Sequence, residues 1–205
     1  MTRRVAILLF HDFDLIDAGG PYEVFLTASR LAQRDGDAPQ YEVVLVSPGG
    51  VDAVAFGGMT LTSLVDPSDV GAVDIAIVPG TIDVSAAVAD EALASAVERL
   101  LGASVVTASV CTGAFLLAQA GALVGRQATT HWEDVDDLAA TGRVERAMRG
   151  VRWVDEGDVV TSGGLTSGMH MALHLVARDF GVDHAVRTAR QLDLPWDPEG
   201  STPPQ

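Results

Sequence analysis

Residues 105–110 form a β-branched run that gives way, with only Cys111 and Thr112 between, to the helical spacing of residues 113–117. A strand that enters a helix this abruptly admits few architectures. It belongs in a sheet whose strands hand over to covering helices, with the intervening residue lifted out of the sheet on a sharp turn. Cys111 holds that turn and is the only cysteine of the chain. Free backbone N–H groups and the positive end of the following helix then favour its thiolate. Taken alone, the same residue serves equally well as a buried core thiol, since free cysteine is among the most buried residue types.

The rest of the chain repeats the alternation. Residues 5–10 are a continuous apolar run suited to a buried parallel strand, and residues 21–32 have helical spacing with Pro21 at the start. Residues 41–47 make a second strand, residues 51–63 a small hairpin around Gly57-Gly58, and residues 73–78 a strand ending at Pro79-Gly80. An Ala-rich helix over 84–101 leads into the strand that carries Cys111. Beyond it come a helix at 113–120, an extended piece at 127–130 and a helix at 133–140. Paired strands at 151–154 and 159–161 precede helices at 165–180 and 182–191. This order specifies an α/β three-layer sandwich with a mostly parallel central sheet.

With 205 residues, 48% of them hydrophobic, the chain suffices for one compact domain over 1–194, followed by an irregular Pro-rich tail over 195–205. No apolar run approaches the ~20 residues that span a bilayer, and the start leads into a strand rather than a signal-peptide core, so the expected location is cytoplasmic with no membrane partner. One cysteine allows no internal disulfide. The 13 basic residues stand against 28 acidic ones, a net charge of −15 that repels phosphate backbones; nucleic acid is not an expected partner. All the basic residues are arginine, and the chain also lacks asparagine. Schiff-base chemistry, a Ser–Lys dyad, a P-loop lysine and a Cys-His-Asn triad are therefore excluded.

In an open parallel sheet the ligand site lies at the carboxyl ends of the strands. That rule selects His11, Asp12 and Asp17 after the first strand, Pro79-Gly80-Thr81 after the central one, and Cys111-Thr112 at the elbow. Thr130-His131-Trp132 and Ser162-Gly163-Gly164 extend the list. The amides of Gly80, Thr81 and Thr112 are candidates for a small anion hole. Pro79-Gly80 is also an ordinary strand-ending turn. Asp17 suits either a helix N-cap or a proton-transfer partner for the thiol.

Four blocks in order carry a family resemblance: residues 17–25 (Asp-Ala-Gly-Gly-Pro-Tyr-Glu-Val-Phe), 109–113 (Ser-Val-Cys-Thr-Gly), 128–132 (Ala-Thr-Thr-His-Trp) and 161–168 (Thr-Ser-Gly-Gly-Leu-Thr-Ser-Gly). Together they resemble the ThiJ/PfpI superfamily, whose fold is of the class I glutamine amidotransferase type, and more narrowly its isonitrile hydratase branch. The resemblance implies a flavodoxin-like sheet, a homodimer, a Cys111 nucleophile, an acidic partner at Asp17 and no cofactor. Relatives commonly carry a second glycine where this chain has Thr81. The branch also resembles the sensor domain of certain AraC-type regulators, which need a C-terminal helix-turn-helix module for which the chain leaves no room.

Thr112 follows Cys111 where the protease-like members have histidine, and His184 lacks the His-x-Glu of the glutaminases, so neither activity is expected. His170 and His174, four apart on one helix, have the spacing of metal ligands but lack the zincin glutamate; they read as helix packing, with no metal expected. The acidic run 133–137 reads as a solvated helix face. The function implied is hydration of an isocyanide, a small-molecule substrate, to an N-substituted formamide. Cys111, Asp17 and Thr112 would carry the chemistry, and Gly80, Thr81, His131 and Trp132 would line the substrate or anion-hole site. The alternatives are a redox sensor or stress protein with an oxidisable Cys111, and a glyoxalase or deglycase-like activity.

Overall fold

The structure is a computed structural model that describes residues 1–198. Its centre is a six-stranded sheet of β1 (Arg3–Leu8), β2 (Tyr41–Val46), β5 (Val73–Val78), β6 (Ser104–Val110), β9 (Trp153–Asp155) and β10 (Val159–Ser162), in the order β2-β1-β5-β6-β10-β9. All neighbours are parallel except β9, which runs antiparallel to β10 at one edge. Apolar runs buried on both faces explain the centre: Val5 to Leu8 and Ala76 to Val78 have no exposed surface.

The helices fall into two groups. Contacts link α1 (Leu15–Arg34), α6 (Thr166–Phe180) and α7 (Val182–Gln191) to one another, and likewise α2 (Val84–Ala89), α3 (Glu91–Ala103) and α4 (Gly113–Gln119). Both groups pack on the sheet, giving the expected mixed α/β sandwich. The hairpin is β3 (Ala53–Val54) with β4 (Thr60–Leu61), and a two-stranded parallel ribbon joins β7 (Gln127–Ala128) to β8 (Arg146–Ala147), with α5 (Val135–Ala140) between them in sequence.

Three elements differ from the sequence reading. Helix α1 starts at Leu15, six residues before Pro21, because the Asp14 side chain accepts the Ile16 N–H and caps it there; Pro21 lies inside the helix. The helix expected over 84–101 is two. Asp90 ends α2 in an extended conformation and caps α3 by accepting the N–H groups of Ala92 and Leu93 at 2.8 and 3.0 Å. Strand β8 carries no apolar alternation in sequence and is held by its pairing with β7. The tail expected over 195–205 lies partly outside the described residues; Trp196 packs against the core and donates from Nε1 to the His170 carbonyl at 3.2 Å.

Candidate active site

The parallel strands deliver the loops after β1, β5, β6 and β10 to one edge of the sheet, and Cys111 stands among them. Val110 is fully buried, and the next residue leaves the sheet with a φ of 56°. For a residue bearing a Cβ this left-handed conformation costs about 1–2 kcal/mol. Fixed neighbours hold it: the Cys111 N–H donates to the carbonyls of Ser162 and Gly163 at 3.1 and 3.2 Å, and its carbonyl accepts the Thr130 hydroxyl at 2.9 Å. Only glycine fits two positions later, because a Cβ on Gly113 would lie 2.3 Å from the Val78 carbonyl oxygen.

Asp17 lies in the first turn of α1 with no exposed surface. It is not the helix cap, a place taken by Asp14. Its carboxylate instead ties two other loops to the site, accepting Leu165 N–H at 2.9 Å and Gly80 N–H at 3.1 Å. The Cys111 thiol is also within hydrogen-bonding reach of it. Burial, followed by the charge of Asp14, raises the Asp17 pKa to about 7, against the lowering effect of the two amides and the thiol. Burial and the negative charge of Asp17 likewise push the Cys111 thiol up, outweighing the Thr112 N–H that faces the sulfur. The expectation of a thiolate favoured by the elbow is therefore reversed. Desolvation and a neighbouring carboxylate outweigh a helix terminus that supplies one amide, so the resting site holds a thiol beside a carboxyl that ionises near neutrality.

The expected anion hole at Gly80 and Thr81 does not form, because both amides already have acceptors. Gly80 N–H serves Asp17, and Thr81 N–H donates to Thr112 Oγ1 at 2.8 Å. The Thr112 hydroxyl in turn donates to the Thr81 carbonyl at 2.7 Å. This reciprocal pair fastens the turn after β5 to the elbow and commits the Thr112 hydroxyl proton to the Thr81 carbonyl. The Thr81 side chain donates to the Asp12 carbonyl at 2.8 Å.

Cys111 lines a cleft of about 280 Å³ together with Asp14, Thr81, Ile82, Thr112, His131 and others. His131 lies across Gly164 from the sulfur: a Cβ built on Gly164 would be 2.5 Å from His131 Cδ2 and 3.2 Å from Cys111 Sγ. His131 Nδ1 is 3.3 Å from Asp134 and 3.7 Å from Glu133. These two acids precede α5 and line the cleft, while Asp136 and Asp137 on α5 are exposed, as expected of a solvated helix face. Trp132 lines a neighbouring hollow of about 410 Å³ that shares His131 and Leu165 with the cleft.

Other sequence candidates lie elsewhere. His11 is exposed beside Asp12, neither lining the cleft. His170 is buried and its Nδ1 has no hydrogen-bond partner among the described residues, whereas His174 pairs with Asp155 at 2.7 Å and stacks on Trp153. His184 bonds the Ala28 carbonyl of α1 at 3.0 Å. Among the described residues no group of three or more His, Cys, Asp or Glu side chains is placed to hold a metal ion, and no helix is long and apolar enough to cross a membrane. Sequence reasoning missed Asp14 and the Leu165 amide; the capping residue ahead of residues 15–20 was the available signal for Asp14.

A family model described as the DJ-1/PfpI family matches residues 3–178. An isonitrile hydratase from Pseudomonas putida is 31% identical over 94% of this chain and 79% of its own length. The transcriptional regulator GbdR from Pseudomonas aeruginosa is 32% identical over 87% of this chain, which spans about half of that longer protein. Among solved structures, a ThiJ/PfpI family protein from Pseudomonas syringae superposes with a TM-score of 0.82 at 21% identity, covering 97% of this chain and 78% of that one.

Proposed function

The chain belongs to the DJ-1/PfpI family, and from that premise we propose that it is a cysteine-dependent enzyme of the isonitrile hydratase type, adding water to an isocyanide to give an N-substituted formamide. The observation that carries the reading is the pairing of the Cys111 thiol with the buried Asp17 carboxyl at the edge of a cleft. An isocyanide needs both a nucleophile and a proton at the same carbon, and this pair supplies them.

In the first step the thiol proton passes to Asp17 as Sγ bonds the terminal isocyanide carbon, and Asp17 delivers that proton to the same carbon, leaving a thioimidate. Water then adds to the thioimidate carbon, its oxygen forming the new C–O bond while one of its protons goes to nitrogen. His131, held at Nδ1 by Asp134, is the group we assign to that proton transfer. Collapse breaks the C–S bond, releases the formamide and returns the hydroxyl proton to sulfur. The Thr112 N–H supports the sulfur as it leaves. Thr112 and Thr81 hold the site rather than react in it. We place this chemistry in the cytoplasm, where a lone thiol stays reduced.

A redox sensor is the competing reading, since relatives include regulators. Sensor thiols oxidise through a thiolate, and the upward push on Cys111 weighs against that role. Purified protein offered a panel of isocyanides should release formamide in many-fold excess over protein. A change confined to peroxide-dependent mass gain on Cys111, with no formamide, would favour the sensor.

A further inference from the structure

We propose that the carboxylates around the Cys111 cleft make it selective for isocyanides whose substituent is cationic, of the ammonium type, with Glu133 and Asp134 setting the preference. The choice of isocyanide rests on the hydratase reading; the charge preference rests on the cleft itself.

The lining of the cleft is electrostatically one-sided. Asp14, Glu133 and Asp134 line it, Asp17 is within hydrogen-bonding reach of Cys111, and no arginine is among the described residues that line it. Asp14 spends one oxygen on the Ile16 N–H, and the cation-forming group beside Glu133 and Asp134 is His131, which is charged only when protonated. The Glu133 side chain is 63% exposed and that of Asp134 31%, which sets them toward the solvent side of the cleft rather than its base. Exposed Ile82 and Leu165 and half-buried Val84 add apolar wall.

An isocyanide is linear at nitrogen. As its carbon approaches Sγ, the substituent extends away from the sulfur toward the solvent side of the cleft, where Glu133 and Asp134 stand. A cleft lined by one sign of charge concentrates the opposite charge and raises encounter rates by about tenfold or more, an effect that salt removes. A carboxylate or phosphate on the substituent meets repulsion instead. The bound ammonium group, passing between apolar wall and acidic rim, needs no buried counterion of its own.

Because Cys111 is the only cysteine, it reports the field without any turnover. The probes are 2-(trimethylammonium)ethyl and 2-sulfonatoethyl methanethiosulfonate, cationic and anionic reagents of similar size, each rate normalised to a small free thiol. At low salt the cationic reagent should modify Cys111 at least about tenfold faster, and the ratio should fall severalfold in Glu133→Gln/Asp134→Asn and in high salt. The remote pair Asp37→Asn/Glu98→Gln removes the same net charge and should leave the ratio unchanged, which separates the cleft from the overall charge. Glu133→Gln alone, which leaves the contact between Asp134 and His131 intact, should lower it by an intermediate amount. Equal normalised rates, or a ratio shifted equally by the remote pair, overturns the proposal. In the turnover arm, kcat/KM for an aminoalkyl isocyanide should exceed that of its neutral isostere and of the carboxylate analogue. Absence of any turnover with the thiol-probe ratio intact would remove the hydratase reading while leaving the charge preference standing.

Discussion

Burial raises both groups, Asp17 pushes the Cys111 thiol further up while the thiol's hydrogen bond draws Asp17 down, and the reactive species is the pair with a single proton between them. Activity should therefore fall as pH drops through about 7, where the pair gains its second proton, on Asp17, which can then no longer accept one from the thiol. Asp17→Asn should lower kcat/KM by about 100-fold or more and abolish that acid limb, measured as a pH–rate profile. A limb that survives the substitution would assign it to another group. The same shift has a sign for stability. Because the folded-state pKa of about 7 stands above the ordinary aspartate value of 3.8, the folded protein binds more protons than the unfolded chain between those values. The stabilisation from neutral Asp17 is complete below the unfolded pKa and is lost as pH rises through about 7. The melting-temperature advantage of wild type over Asp17→Asn should shrink across that window, and a constant difference would contradict the buried, raised carboxyl. Cys111 was legible as the centre of the site because a strand-to-helix switch admits one exposed residue. The state of its proton was not, since it depends on a carboxylate 94 positions away in sequence whose burial no local pattern records.

At the scale of elements, the apolar runs that became β1, β5 and β6 and the switch into α4 were readable because each is decided by residues adjacent in sequence. The misreadings of α1 and of the α2–α3 pair share a cause: an aspartate side chain competing for backbone N–H groups. Asp14 begins α1 early and Asp90 divides one helical pattern into two. The same competition, at Thr112 and Asp17, consumed the amides expected to form an anion hole. The junction between β5 and α4 is the tightest of these packings. Gly113→Ala would drive a Cβ to 2.3 Å from the Val78 carbonyl, which only backbone movement relieves. Its cost should be about 3 kcal/mol, read as a lowered urea midpoint with an unchanged slope. An unaltered midpoint would show that α4 is free to shift away from β5.

For the whole molecule, the net charge of −15 and the acidic cleft give the protein a single-signed field, while exposed Ile16, Phe56, Met59 and Trp132 interrupt it with apolar surface. We expect a homodimer, as the family resemblance implies. Sedimentation at micromolar concentration should give twice the chain mass, and a monomer would contradict it. The central claim is that Cys111 makes and breaks a bond to the isocyanide carbon, with the fold serving to hold one thiol beside one carboxyl. Its most direct test is multiple-turnover formamide formation by wild type and Cys111→Ser side by side, with melting curves confirming that both are folded. The account predicts formamide in many-fold excess over wild-type protein and none above the uncatalysed rate with the serine variant. Formamide formed by both at comparable rates would contradict it.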